Sequence, residues 1–363
     1  PLTAQKVVVT EKMEVLEARA RQDSNDAAAH YNVAMGYWSK KRYGDAEQAL
    51  RTAVGLDPQF ADAYLAMGIL HNWDDDFWSQ RRKAGGDTAV KTARKELEGY
   101  YRKAFLIDPL VDVKILGATW KLGGYSRFLR AFEDLVEGRY DQAFDKFDKE
   151  LQYWKGSQTL DSLPWGMVWL HGLAAAHSNH PEAAITDLGH LVDRASQAEQ
   201  SDSTDDTPLE VNEYRYMIAV LKQRGGQAGE AVNIYQQVLT TDIGNYMAHV
   251  QLARVYEGVR DFERAVQERR RAVETNPDDS SLLLDLGLTL GKAGRFQEAS
   301  EALTQASEAN PRDSRSYYWL GIANVQLSKK EDARAAFNRF LELAPSRYAD
   351  QIAAAKQRIA QLQ

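Results

Sequence analysis

A spacing of 34 residues recurs in the C-terminal third of the chain and limits the fold more than any other sequence feature. It separates Pro277, Pro311 and Pro345. Small residues that would let two helices approach closely keep the same register: Ala253, Gly287, Gly321, Ala265, Ala299 and Ala333. A fixed period of about 20 to 50 residues is typical of stacked repeats. The sequence therefore predicts an array of similar repeats.

Each repeat contains two stretches with apolar residues at helical spacing. In one repeat, Leu283, Leu286 and Leu290 lie three and four residues apart, and a turn at 294–296 precedes a second stretch over 297–309. This spacing places the leucines on one face of a helix. Proline follows the second stretch, where it ends the helix because it cannot continue the backbone hydrogen bonds. We therefore predict pairs of short amphipathic helices.

The last repeat resembles the tetratricopeptide repeat. The run Tyr-Tyr-Trp-Leu-Gly at 317–321 is similar to the family's first-helix motif, and Ala333, Phe337 and Pro345 match its later positions. Three consecutive repeats match over 246–345. The resemblance implies an all-α, right-handed superhelical solenoid of antiparallel helix pairs. It also implies an inner surface that binds a peptide segment or helix of another protein.

Weaker copies of the register extend the array to about eight repeats. Pro58 and Pro109 are 51 residues apart, which predicts an insert near 72–90 within the second repeat. The polar segment 196–211 is acidic, which predicts a flexible loop. The other predicted segments are an N-terminal segment with a possible capping helix over 1–26, repeats 1–2 over 27–109, irregular repeats 3–4 over 110–195, repeats 5–8 over 212–345, and a C-terminal capping helix over 346–363.

Composition excludes several classes of function. The 363 residues include no cysteine, which rules out disulfides, thiolate metal sites and cysteine nucleophiles. The formal net charge of -7 argues against general nucleic-acid binding. No run reaches the roughly 18 apolar residues of a membrane-spanning helix, so we expect no membrane insertion. Absence of cysteine favours an exported or periplasmic bacterial protein, although cytosolic repeat proteins can also lack it.

The resemblance places candidate partner-binding residues on the first helix of several repeats, and the insert adds two tryptophans. An alternative is that some of these side chains pack between repeats. The Lys/Asn/Arg carboxylate clamp of chaperone-binding relatives is not found in three adjacent repeats. The candidates are Tyr31, Met35, Trp38, Trp73, Trp78, Val250, Arg254, Leu284, Leu288, Tyr318 and Ile322.

Three adjacent carboxylates at Asp74–Asp76 stand between the two tryptophans of the insert. They leave three interpretations open. Calcium takes several oxygen ligands, so the run could form a cation site, but its spacing is not that of a calcium loop. It could instead contact a partner, or it could belong to a loop folded over the solenoid.

Other motifs are better explained by ordinary repeat structure. The four histidines His171, His177, His180 and His190 lack a zinc-site pattern, and we interpret them as polar surface. The basic runs 269–271 and 81–83 are interpreted as solvated helix faces. No catalytic motif occurs, so we expect no enzyme activity, no cofactor and no metal.

The sequence thus favours a non-catalytic scaffold or adaptor that binds a partner protein on its inner groove. A permanent structural subunit of a larger assembly is the alternative, because the eight tryptophans and the inserts fit buried interfaces equally well. A third hypothesis is a ligand- or ion-binding solenoid that uses Asp74–Asp76.

Overall fold

The computed structural model describes residues 11–72, 74–119, 127–155, 163–201 and 209–362. Within them the chain forms eighteen α-helices and no β-strand, which confirms the all-α prediction. Contacts divide the molecule into two compact bodies. The described residues of the first body are 35–47 and 61–241, and those of the second are 11–34, 48–60 and 242–362.

The first body consists of helix pairs, and from α6 to α11 each helix packs against the next along the chain. A 3-10 helix at Val113–Thr119 packs against the first and third of its helices. These helices are α4 (Ala61–Ile69), α5 (Asp75–Ile107), α6 (Arg127–Val136), α7 (Tyr140–Lys155), α8 (Trp165–His177), α9 (Pro181–Ser201), α10 (Val211–Arg224) and α11 (Ala228–Thr241).

The second body contains three regular helix pairs followed by a terminal helix. Two further helices, α2 (Ala27–Ser39) and α3 (Tyr43–Leu56), contribute residues to both bodies. The other helices of the second body are α1 (Met13–Gln22), α12 (Tyr246–Gly258), α13 (Phe262–Thr275), α14 (Ser280–Lys292), α15 (Phe296–Ala309), α16 (Ser314–Gln326), α17 (Lys330–Leu343) and α18 (Ala349–Gln361).

Glycine is needed where paired helices approach most closely. A Cβ atom added to Gly287 would lie 2.5 Å from Leu303 Cγ, and one added to Gly321 would lie 2.6 Å from Phe337 Cε1. Neither separation is compatible with a real Cβ contact. The predicted role of these small residues is therefore confirmed, because a larger residue would force the helices apart.

Helix starts in the second body also follow the 34-residue period. The side chain of Asn245 accepts a hydrogen bond from Ala248 N, that of Asp279 from Ser281 N, and that of Asp313 from Arg315 N. Each bond satisfies a backbone donor that the first turn of a helix leaves unpaired. These three caps fix the points where α12, α14 and α16 begin.

The turn inside six helix pairs has one residue in the left-handed region. It precedes the small residue of the second helix by the same number of positions in every case. Glycine occupies this position in three pairs and a larger residue occupies it in the others: Gly138, Gly226, Gly294, Lys41, Arg260 and Ser328.

Replacing Arg260 with glycine should raise the free energy of unfolding. Arg260 has a φ of 60°, where a side chain clashes with its own backbone at a cost of about 1–2 kcal/mol. Glycine removes that clash but adds entropy to the unfolded chain, so we expect a net gain of about 0.5–1 kcal/mol. Urea unfolding would measure it. Gly294→Ala at the equivalent turn is the control and should lower the free energy of unfolding.

The insert near 72–90 is helical and does not form a loop. It belongs to α5, whose helix is interrupted only at Gly85 and Gly86. Gly86 has a φ of 61° and a ψ of -148°, a combination that side chains do not favour. Asp74 caps the start of α5 by accepting a hydrogen bond from Phe77 N. A loop was one of the three interpretations that the sequence left open for Asp74–Asp76.

The segment predicted as a loop at 196–211 also begins as helix. Helix α9 continues through Ser201, and the Ser196 hydroxyl donates to Val192 O at 2.7 Å. The hydroxyl's bond stays within the helix, so this polar residue does not end it. Residues 202–208 lie outside the described part of the chain. At the C-terminus, α18 packs against α17 through a cluster that includes Phe337 and Phe340.

Polar contacts in the second body join the N-terminal segment to the α14–α15 and α16–α17 pairs and to the turn after α17. We call this set the N-terminal clasp. Asn310 Nδ2 donates to the carbonyls of Gly55 and Leu56 at 3.3 and 3.2 Å. Because α3 ends at Leu56, these carbonyls have no partner within their own helix. The Asn310 side chain, which comes from a distant repeat, therefore supplies the hydrogen-bond donor that the carbonyls at the end of α3 lack.

Further bonds complete the clasp. Arg347 forms an ion pair with Asp26 at 2.9 Å. The Ser346 hydroxyl donates to Asp23 at 2.7 Å, and Gln59 Nε2 donates to Asp279 at 2.6 Å. The remaining members are Asn25, Arg312, Asp57 and Arg315.

Candidate functional site

Four of the predicted partner-binding residues lie in the core. Met35, Trp38, Val250 and Leu284 are each less than 10% exposed. Their expected position on an open face is wrong, since a first helix in a stacked array is covered by the helices on both sides. These side chains stabilise the packing of the array.

The other predicted residues are spread over the molecule. Leu288 is half-buried against the core around Leu303, and both Tyr318 and Ile322 are half-buried against the core around Phe337. Tyr31 packs on Phe60 with ring centroids 5.2 Å apart. Arg254 is exposed, Trp78 is half-buried, and Trp73 lies outside the described residues. The structure therefore does not gather the predicted set into one site.

A groove of about 780 Å³ opens in the first body. It is bounded by α4, α5 and α8, and three tryptophans contribute to its wall, so we call it the tryptophan groove. Aromatic rings give a partner large apolar contact surfaces with little loss of side-chain freedom. Six of its lining residues carry the argument below: Trp78, Arg94, Glu98, Tyr101, Trp165 and Trp169.

Trp78 is held at the groove by three interactions. Its Nε1 donates to the His71 carbonyl at 2.8 Å. Its ring meets Phe77 edge to face with centroids 5.0 Å apart, and the Arg94 guanidinium lies 5.7 Å from the ring centroid. Because Arg94 follows the break at Gly85–Gly86, the two segments of α5 lie side by side here. The break therefore brings both segments to the groove.

The Asp74 carboxylate is already engaged by the protein. One oxygen caps α5 and the other lies 2.9 Å from His71 Nδ1, while His71 Nε2 lies 3.3 Å from Glu47. Among the described residues, no group of three or more histidine or carboxylate side chains could hold a metal ion. Asp74 thus positions the insert, and the structure gives no support to a cation site there.

Tyr101 and Trp169 form the inner wall of the groove. Trp169 Nε1 donates to the Tyr101 hydroxyl at 3.3 Å, and burial raises the pKa of Tyr101 to about 12. The phenol therefore remains neutral at physiological pH. Gly68 of α4 lies directly against this residue, because an added Cβ would sit 2.8 Å from Tyr101 N. The wall thus depends on close contact between α4 and α5.

Helix α5, which contributes Trp78 and Arg94 to the groove, is basic around its break. Six exposed cations lie on the two sides of the helix break, and Asp87 is the only acidic residue in 79–95. None of the six forms an ion pair with another described residue. We call this group the basic elbow: Arg81, Arg82, Lys83, Lys91, Arg94 and Lys95.

Comparisons with known proteins identify the repeats. Tetratricopeptide repeat models match residues 27–60 and 284–348. The chain is similar to the C-terminal part of a TPR repeat-containing protein from Cytophaga hutchinsonii, with 16% identity, a TM-score of 0.51, and coverage of 65% of this chain and 87% of the other. Residues 27–60 and 284–348 are therefore tetratricopeptide repeats (TPR).

The chain is also similar to MamA residues 41 to the end, from Desulfovibrio magneticus RS-1. The two are 19% identical over 50% of this chain and 93% of the other, with a TM-score of 0.37. No curated protein sequence matches the chain. The Cytophaga structure supports a helical solenoid, and the two repeat matches support a protein-interaction scaffold. No described helix is long and apolar enough to cross a membrane.

The interpretation of the four histidines as polar surface is wrong for His171, which is buried in α8, whereas His177, His180 and His190 are half-buried. His171 is 5% exposed, and its Nδ1 lies 2.5 Å from Asp187 Oδ2. His180 stacks on Phe144 with centroids 4.0 Å apart. The flat imidazole ring packs like a small aromatic residue, which the sequence pattern alone did not reveal.

His177 should make the TPR array less stable in mild acid. Burial lowers the pKa of His177, although Asp112 and Asp108 oppose the shift. The folded state therefore binds fewer protons than the unfolded state, and stability falls as pH drops below about 6.5, the ordinary histidine pKa. His177→Phe retains an aromatic ring beside Tyr140, 4.8 Å away, but does not titrate. Urea unfolding from pH 7.5 to 5 should show a smaller loss for the variant; parallel losses would contradict the assignment.

The interpretation of the run 269–271 as a solvated helix face is wrong for Arg269. It is 5% exposed and its guanidinium pairs with Asp285 at 2.8 Å and Glu257 at 3.2 Å. Two carboxylates compensate the buried charge. Arg270 and Arg271 are exposed, as the interpretation of a solvated face predicts. The basic run 269–271 is thus divided between an internal ion-pair network and the surface.

Proposed function

We propose that this TPR protein is a non-catalytic scaffold that holds a segment of a partner protein in the tryptophan groove. The lining of the groove carries the proposal. Trp165 is half-buried and Trp78 is fixed by its bond to His71, so a partner would meet aromatic surfaces that are already positioned. Preorganised aromatic side chains are frequent anchors in protein interfaces.

The groove is favoured over the first-helix face predicted from sequence. Met35, Trp38, Val250 and Leu284 are buried and offer a partner no apolar surface. In contrast, the groove places α8 beside an insert that departs from the 34-residue period. Departures from a repeat pattern often carry binding function, because they add surface without disturbing the stack.

Site-specific photocrosslinking in cells that produce the protein tests the proposal. Benzoylphenylalanine at position 165 should give a discrete crosslinked protein, because the reactive ring would lie inside the groove. The same probe at Val259, which is 67% exposed in the second body, is the control. The same crosslinks at both positions, or none at position 165, would argue against the groove.

A further inference from the structure

We infer that the tryptophan groove takes an acidic peptide segment that carries a large aromatic or aliphatic side chain. The inference rests on the proposed function and names the chemistry of the partner. It depends on two features that lie together in the first body. One is the apolar lining of the groove, and the other is the basic elbow of α5, which reaches the groove through Arg94.

The charge of the elbow is unusual for this chain. The protein has a formal net charge of -7, yet six of the seven charged residues in 79–95 are cations. Arginines elsewhere are commonly neutralised within the fold, as Arg102 is by Glu213 at 2.9 Å. The elbow cations have no such carboxylate partner among the described residues. Their charge is therefore free to act on a molecule that approaches the groove.

The elbow and the groove share residues, so one ligand can meet both. Arg94 belongs to the elbow and also lines the groove beside Trp78. Arg81 lies 4.9 Å from the ring centroid of Phe77, the residue before Trp78. An apolar side chain of the ligand would contact the tryptophans, while carboxylates beside it in sequence would face the elbow. Glu98, an exposed carboxylate that also lines the groove, would repel an acidic group placed beside it.

A protein ligand fits these observations better than a nucleic acid. Arginine and aromatic rings also bind single-stranded nucleic acids, where a cationic track follows the phosphates and bases stack on rings. Here the cations are confined to the basic elbow of α5, and the chain as a whole is acidic, so a long polyanion would be repelled beyond the elbow. A short acidic peptide needs only a local cluster of cations.

Fluorescence anisotropy with the full chain tests the inference. The first probe is a short labelled peptide with a central tryptophan flanked by glutamates. The second has glutamine for every glutamate, and the third has alanine for tryptophan. We expect the first to bind about tenfold more tightly than either other probe, with an affinity that falls as salt is added.

Two variants connect binding to the two features. The first variant combines Arg81→Gln, Arg82→Gln and Lys83→Gln. It should bind the acidic probe about tenfold more weakly and the glutamine probe with unchanged affinity. A control variant combines Arg254→Gln, Arg270→Gln and Arg271→Gln. It makes the same charge change in the second body and should have little effect on the affinity for any probe. The second variant, Trp165→Ala, should weaken the binding of both tryptophan-containing probes. Far-UV circular dichroism checks that this variant folds.

Each alternative outcome overturns a separate statement. Equal affinity for the acidic and glutamine probes would overturn the inference that the ligand is acidic. The proposal that the groove is the scaffold's binding site would still stand. Binding that Trp165→Ala does not affect, or no binding of any probe, would overturn the groove itself. Tighter binding of a single-stranded oligothymidine than of the acidic peptide, lost in the elbow variant, would replace the inference with nucleic-acid binding.

Discussion

Gly68→Ala should lower the free energy of unfolding by about 1–3 kcal/mol, the usual cost of forcing extra volume into a packed contact. The added methyl group would lie 2.8 Å from Tyr101 N and 3.0 Å from Tyr101 Cα. Both are backbone atoms of α5, so no change of rotamer can relieve the clash. The two helices must separate, and we expect the inner wall of the tryptophan groove to move with them.

Gly99→Ala is the matched control for this substitution. Gly99 lies in α5 as well, but nothing lies within 4 Å of an added Cβ. Alanine favours the helix over glycine, so this variant should gain about 0.5–1 kcal/mol. Urea unfolding followed by far-UV circular dichroism measures both. If the two substitutions change stability in the same direction, the close contact of α4 with α5 is not what requires glycine at position 68.

Asn310→Ala should destabilise the second body by about 1–3 kcal/mol, because it leaves the buried Leu56 carbonyl without a donor. The Asn310 amide is bonded to Gly55 O and Leu56 O, the final carbonyls of α3. Alanine cannot replace either bond, and water reaches this buried position poorly. Hydrogen exchange by mass spectrometry should show faster exchange both at the end of α3 and in α15.

Asn276 supplies the control for the clasp, since it precedes proline in the previous repeat just as Asn310 does. It is half-buried, and Asn276→Ala should change stability by less than about 0.5 kcal/mol, as surface substitutions usually do. Equal losses for the two variants would mean that the asparagine acts within its own turn. The bond to α3 would then contribute little.

The regular repeats could be predicted because their constraints are local and periodic. Gly287 and Gly321 fall where the helices touch, and the 34-residue interval places them without any knowledge of the neighbours. The insert was located by the same interval, but its helical form was not predicted. The start of this helix depends on the Asp74 cap, and its break depends on Gly86. Neither residue alone was enough to predict a helix in this segment.

The tryptophan groove was only partly predictable. Trp78 was singled out because it lies in the insert, whereas Trp165 and Trp169 looked like ordinary residues of a weak repeat. Their spacing of four residues, which places them on one helix face, was the available signal. Tyr101 joins them from a position 68 residues earlier than Trp169, a contact that no periodicity specifies.

The N-terminal clasp bears on how the protein folds as it is synthesised. A stacked array usually folds by adding one repeat to the next, since each repeat contacts only its neighbours. Here Asp23 contacts Ser346, 323 residues later, and Gln59 contacts Asp279, 220 residues later. The N-terminal segment therefore emerges from the ribosome long before its partners exist. We expect the second body to be completed only after the last repeats have been released, through slow closure of a long chain segment.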